Sequence, residues 1–99
     1  MLFDQINREL ELTQRHLIVL KKVIESGPIG ILKLAEETEM PTHKVRYSLR
    51  VLELEQLIKP SASGAIAGKQ VEEFISDFDD ELENIVYIIE RIREIGKSI

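Results

Sequence analysis

The last third of the chain, residues 69–99, constrains the fold most strongly, because its apolar residues keep one helical spacing throughout. Large apolar residues recur alternately after four and three positions, the heptad spacing of a coiled coil. The segment has no proline and only Gly96 as glycine, so the pattern predicts one helix of about 45 Å. The seam consists of Val71, Ile75, Phe78, Leu82, Ile85, Ile89 and Ile92.

This apolar seam predicts a partner chain. A chain of 99 residues buries only a limited core, so a stripe of this length needs a second surface to cover it. We expect a homodimer, with residues 69–99 as its dimerisation helix and residues 1–68 as a separate domain. Further apolar residues flank the seam, which indicates that the helix also contacts its own N-terminal helix. Heptad spacing leaves open whether the paired helices run parallel or antiparallel.

The net charge is concentrated in the same C-terminal segment. The formal net charge is -5, and residues 69–99 contain nine acids and four bases. Residues 1–26 and 27–68 each balance to zero. The N-terminal two thirds can therefore meet an anion that the C-terminal helix repels.

Composition excludes several classes of site. The chain has no cysteine, which excludes disulfides, thiolate metal sites and cysteine nucleophiles. The only histidines, His16 and His43, lie on different predicted helices, and no metal-ligand spacing, nucleophile motif or phosphate-binding glycine loop is present. We expect no enzymatic activity, no metal and no cofactor. No apolar run approaches the roughly 20 residues of a membrane span and no signal peptide is recognisable, so a cytoplasmic protein is expected.

The rest of the chain reads as short helices followed by a hairpin. Residues 2–26 have helical spacing, and Thr13 either caps a second helix there or lies inside one long helix. A short helix is predicted at 31–38 and another at 41–55, opening on Pro41. Strands are predicted at 57–59 and 65–67, joined by a turn at 60–64.

The segment 40–57 has a cationic face that is unusual for an acidic protein. It carries Lys44, Arg46 and Arg50 and no acid before Glu53. Val45, Leu49 and Leu52 form one apolar stripe on the predicted helix, which leaves the basic residues on the opposite face. Such a face is either a nucleic-acid contact or an ordinary solvated surface, with Arg46 and Arg50 paired to nearby acids.

The order of a short helix, a tight turn, a second helix and a hairpin over roughly residues 13–68 resembles the winged helix-turn-helix family. Leu34 and Ala35 on the first helix carry the resemblance, with Leu57 and Ile58 entering the wing. The run VRYSLRVLELEQLIKP is similar to the recognition helix and first wing strand of small archaeal and bacterial transcriptional regulators. The implied fold is mainly α, a winged domain with a β-hairpin wing and a long coiled-coil-like C-terminal helix.

The resemblance implies a set of double-stranded DNA contacts. The helix at about 41–55 is expected in the major groove, because the second helix of such motifs reads the base edges there. The implied base or groove contacts are Thr42, His43, Lys44, Arg46, Tyr47 and Arg50. The implied phosphate contacts are Lys33, Lys59, Ser61 and Ser63.

Two positions depart from the family pattern. Glu39 and Gln56 occupy turn positions where the family usually has glycine. Non-glycine residues rarely adopt left-handed backbone, so the sequence leaves open whether these turns are built in the usual way.

Three functions fit this sequence. The first is a homodimeric, sequence-specific transcriptional regulator whose recognition helices meet successive major grooves about 34 Å apart. The second is a winged-helix module that binds another protein, which suits the acidic helix and the scarcity of bases in the wing. The third is an architectural chromatin protein with little sequence preference, which the acidic net charge disfavours. No effector is identifiable.

Overall fold

The computed structural model describes all 99 residues and contains four helices and one two-stranded antiparallel sheet. The prediction of a mainly helical fold with a small hairpin is confirmed. The elements are α1 (Asp4–Ser26), α2 (Ile31–Thr38), α3 (Thr42–Leu54), β1 (Ile58–Ser61), β2 (Gly64–Ala67) and α4 (Val71–Lys97). No helix is both long enough and apolar enough to cross a membrane.

The N-terminal region forms one continuous helix. Thr13 lies inside α1, and its hydroxyl donates to the carbonyl of Glu9 at 2.8 Å. A threonine in a helix interior satisfies its hydroxyl in this way. Thr13 therefore does not begin a second helix.

Helices α2 and α3 are terminated in the same way. Each is followed by a residue other than glycine whose backbone has the left-handed conformation. Glu39 has φ 55° and Gln56 has φ 60°. At the end of α2, the N–H of Met40 donates to the carbonyl of Ala35 at 3.1 Å. At the end of α3, the N–H of Leu57 donates to the carbonyl of Leu52 at 2.9 Å. Both are Schellman motifs, so the two turns have the usual construction although they lack glycine.

The core lies where α1, α2, α3 and the start of the hairpin meet. Val19 and Val23 of α1, Leu34 of α2 and Val45 of α3 are almost completely buried. The apolar stripe predicted on α3 faces this core, and its third member, Leu49, is half-buried. The full cluster is Val19, Leu20, Val23, Ile29, Leu34, Val45, Leu52, Leu57 and Ile58.

The hairpin is longer than predicted and is anchored to the connection between α1 and α2. Strand β1 includes Pro60 and Ser61, so the predicted turn at 60–64 was wrong and the turn is shorter. Pro60 is tolerated because each strand of a two-stranded sheet has an open edge. Ile29 and Ala65 exchange backbone hydrogen bonds of 3.1 and 2.8 Å. This bridge fixes the hairpin to the domain.

Helix α4 leaves the domain as a projecting arm. Its first turns contact the core through Val71 and Phe74. Every residue from 79 onward is exposed, and the molecule measures 55 × 29 × 19 Å. We call residues 79–97 the arm. The single long helix predicted from the heptad spacing is confirmed.

Candidate nucleic-acid interface

The core fixes α3 on one side and leaves its other side in solvent. Val45 and Leu52 hold the helix in place, with exposed fractions of 0% and 4%. Five of the six predicted groove contacts are exposed, and Thr42 is half-buried at the start of the helix. The exposed five define the outer face of α3: His43, Lys44, Arg46, Tyr47 and Arg50.

The cationic residues of this outer face take part in no ion pair within the chain. Arg46 and Arg50 do not pair with Glu53, since every ion pair joins groups of α1, α2, α4 or the N-terminal amine. The guanidinium groups of Arg46 and Arg50 therefore keep their donors for another molecule. An arginine with free donors can bridge a guanine edge or a phosphate with two hydrogen bonds.

Tyr47 contacts two residues of α1. Its ring centroid lies 5.8 Å from that of His16, and the guanidinium carbon of Arg15 lies 5.7 Å from the same ring centroid. These distances are those of an aromatic pair and a cation–π contact. Tyr47 is still 49% exposed, so it both supports α3 against α1 and presents an edge to solvent.

Ser48 is the one buried polar residue of the domain, and α1 satisfies its hydroxyl. Nε of Arg15 donates to Oγ of Ser48 at 3.3 Å, and Oγ lies 2.8 Å from Nδ1 of His16. Burial lowers the pKa of His16 below its ordinary value of 6.5, and the nearby Arg15 charge lowers it further, against a smaller opposing effect of Glu9. A neutral His16 can accept a hydrogen bond from the Ser48 hydroxyl at Nδ1. This network locks the middle of α3 onto α1.

Sequence reasoning missed Arg15 as part of this region. Arg15 lies 33 residues before Ser48, and only the packing of α1 on α3 brings them together. Its side chain adds a positive charge beside Tyr47 at the edge of the outer face. No local pattern in the sequence signals this contact.

The predicted phosphate contacts differ in how free they are. Lys33 is exposed, but its Nζ lies 3.7 Å from a carboxylate oxygen of Glu37 and 4.0 Å from one of Glu36. A hydrogen bond from Lys22 at 3.0 Å is the largest cause of a lowered pKa at Glu37, and Lys33 contributes less. Lys33 is thus partly neutralised by its own helix.

The hairpin offers one cation and few free hydroxyls. Lys59 on β1 is exposed and takes part in no ion pair. The hydroxyl of Ser61 donates to the carbonyl of Gly64 at 2.6 Å, and its oxygen accepts from the N–H of Ser63 at 3.3 Å. Ser61 is therefore occupied in shaping the turn, which leaves Lys59 and the Ser63 hydroxyl as the predicted contacts with free groups.

A groove of about 620 Å³ separates α1 from α4. Its floor is apolar and includes Leu17, Phe74 and Phe78, and four carboxylates stand along it. These acids are Glu55, Glu73, Asp77 and Glu81. The groove is thus of opposite charge to the outer face of α3.

Comparison with known protein families and curated proteins identifies no related protein. No protein-family model matches the sequence, and a search of curated proteins finds no significant match.

Proposed function

We propose that the chain is a winged helix-turn-helix transcriptional regulator that binds double-stranded DNA as a homodimer. In this proposal α2 and α3 form the helix-turn-helix, the β1–β2 hairpin is the wing, and α3 enters the major groove. The fold observed, with four helices and a small antiparallel hairpin, is consistent with this assignment.

The observation that carries the proposal is the unpaired cationic face of a helix whose other side is anchored. Lys44, Arg46 and Arg50 project from α3 without acidic partners, while Val45 and Leu52 are buried. A side chain reads bases well only when its backbone is held in place. The Schellman turns and the Ser48 network supply that support here.

The charge distribution supports the same orientation toward DNA. The acids of α4 begin beyond the hairpin and lie mostly on the projecting helix. DNA phosphates repel carboxylates, so a complex with α3 in the groove is favoured when the carboxylates of α4 are held away from the duplex. The wing contributes little, because Lys59 is its only base.

The test begins with selection of bound duplexes from a random pool, followed by affinity measurements on Arg46→Ala. An arginine that contacts guanine contributes about 1–3 kcal/mol of discrimination, so binding should weaken roughly 5- to 150-fold for each half-site that loses its Arg46, and the sequence preference should relax. Arg91→Ala, which removes the same charge from the arm, is the control and should leave both properties unchanged.

Salt dependence separates this function from the protein-binding alternative, and preference among duplexes separates it from the architectural one. Binding should weaken steeply as salt rises, because cationic side chains displace condensed counterions. No duplex binding at low salt would overturn the proposal and favour a winged-helix module that binds protein. Tight binding without preference among duplexes would favour the architectural alternative.

A further inference from the structure

The charges of α4 are divided between its two halves. The first half, residues 71–84, has seven acids and no base, and none of these acids takes part in an ion pair within the chain. The second half contains Arg91, Arg93 and Lys97 against two acids, of which Glu90 lies 3.4 Å from Arg93 and Glu94 lies 3.2 Å from Lys97. The helix therefore has an acidic end at the domain and a weakly basic end at its tip.

The apolar seam between these charges remains largely uncovered. Ile75 is 59% exposed and Leu82 is 47% exposed. Ile85, Ile89 and Ile92 are also exposed along the arm. Apolar residues in a continuous heptad seam are stabilised by a second helix of the same pattern, and a second copy of this chain supplies one.

We infer that α4 pairs with α4 of a second copy in the antiparallel direction. The inference rests on the proposed homodimer and settles its orientation. In the antiparallel direction the acidic half of each helix lies beside the basic half of the other. In the parallel direction the seven acids of one first half lie beside the seven of the other, and like charges repel.

One antiparallel register places large apolar residues opposite each other along the seam from Ile75 to Ile92, while Val71 packs against the core of its own domain. Ile75 faces Ile92 of the second copy, and Leu82 faces its Ile85. Phe78 faces Ile89 in the same register. Each contact occurs twice because the pair has two-fold symmetry.

The same register brings opposite charges together at the edge of the seam. Heptad counting places Glu72, Asp79, Val86 and Arg93 along one edge, and in an antiparallel pair this edge meets the same edge of the partner helix. Arg93 then lies between Glu72 and Asp79 of the second copy. Edge positions of this kind set orientation in coiled coils.

The opposite edge of the seam is already occupied within the chain. Phe74, which heptad counting places on this edge, is half-buried, packs against the core and lines a groove with Leu17 and Leu20 of α1. Helix α1 thus covers one edge at the base of α4. The edge that carries Asp79 and Arg93 is left for the second copy.

Orientation is measured by placing single cysteines in this cysteine-free chain and attaching spin labels. The positions are Asn84, near the centre of the proposed register, and Glu94, near the tip. Antiparallel pairing predicts a short distance between the two labels at position 84 and an axial separation of about 30 Å at position 94. Short distances at both positions would overturn the orientation but retain the homodimer. The absence of any intermolecular distance at high concentration would overturn both.

A charge exchange tests the edge contact independently. Arg93→Glu should raise the dimer dissociation constant about tenfold, and adding Asp79→Arg and Glu72→Arg to it should restore dimerisation. Arg91→Glu, the same change on the outer side of α4, is the control and should have a small effect. Equal weakening by Arg93→Glu and Arg91→Glu, without rescue, would contradict the register. These measurements use no DNA, so they remain separate from the test of DNA binding.

Discussion

At the scale of single residues, Glu39 and Gln56 hold a backbone conformation that is unfavourable for any residue with a Cβ. Left-handed backbone costs an L-residue roughly 1–2 kcal/mol relative to glycine, and glycine loses part of this advantage through its greater freedom in the unfolded chain. The Schellman hydrogen bonds hold both residues in place, and the residue that follows each one packs in or against the core: Met40 after Glu39 and Leu57 after Gln56.

Replacing either residue with glycine should stabilise the protein. We expect Glu39→Gly and Gln56→Gly each to raise the free energy of unfolding by about 1 kcal/mol, which corresponds to roughly 4–8 °C in melting temperature for a domain of this size. Thermal unfolding at one fixed protein concentration is the measurement. Glu53→Gly inside α3 is the control and should destabilise by about 1 kcal/mol. Destabilisation by Glu39→Gly would show that the Glu39 side chain has a favourable role that the turn geometry does not reveal.

His16 should make stability depend on pH. Its pKa in the folded protein is below the ordinary value of 6.5, so the unfolded chain takes up a proton first as pH falls. The contribution of His16 to the free energy of unfolding is therefore constant above pH 6.5. It decreases as pH falls below 6.5 and levels off below the pKa of His16 in the folded protein. We expect His16→Gln, which keeps an acceptor for Ser48 but does not titrate, to lose less stability than the wild type between pH 7.5 and about pH 5.

The comparison of denaturant unfolding curves for these two proteins isolates His16, because every other titrating group is common to both. Parallel pH profiles for the two proteins would mean that the hydrogen bond to Ser48 does not depend on the protonation of His16.

At the scale of elements, the sequence predicted the helices well because residues that begin or end helices lie close to their ends. Helix α2 has the predicted bounds, since Gly30 lies directly before it and Pro41 prevents its continuation. Whether Thr13 began a helix was not predictable, because threonine suits both an N-cap and an interior position that bonds back to a carbonyl. The predicted turn at 60–64 was wrong because turn-forming residues also fit the open edge of a two-stranded sheet.

The candidate site was predictable only where it lies on one element. The outer face of α3 followed from helical periodicity, and the structure places Lys44, Arg46 and Arg50 on it. The contacts of Tyr47 with Arg15 and His16 depend on how α1 crosses α3. Periodicity predicts which face of a helix is apolar, but it does not predict which other helix packs beside it. The contacts between α1 and α3 were therefore not predictable from the sequence.

At the scale of the whole molecule, the proposed DNA-binding function requires two copies to act together, because each domain would present only one short helix to the duplex. Linking two sites in one dimer raises affinity by about 10²–10⁴ over a single site through effective concentration. In the inferred antiparallel pair, the two α3 helices would lie at opposite ends of the dimer. The length of the arm would then set the distance between the two proposed half-sites.

Disrupting the apolar seam should therefore remove the affinity that is gained by linking the two DNA-binding sites. Ile89→Glu buries a charge in the proposed interface, which is unfavourable, so we expect a monomer by sedimentation and at least a hundredfold weaker binding to a duplex with two half-sites. Affinity for a duplex with one half-site should change little, because the outer face of α3 is far from residue 89 along the chain. Tyr87→Glu makes the same substitution at a position that is 62% exposed and lies outside the seam, so it should remain dimeric and bind both duplexes like the wild type. Equal losses on the two duplexes would show instead that the arm supports α3 directly, and that the dimer is not the source of affinity.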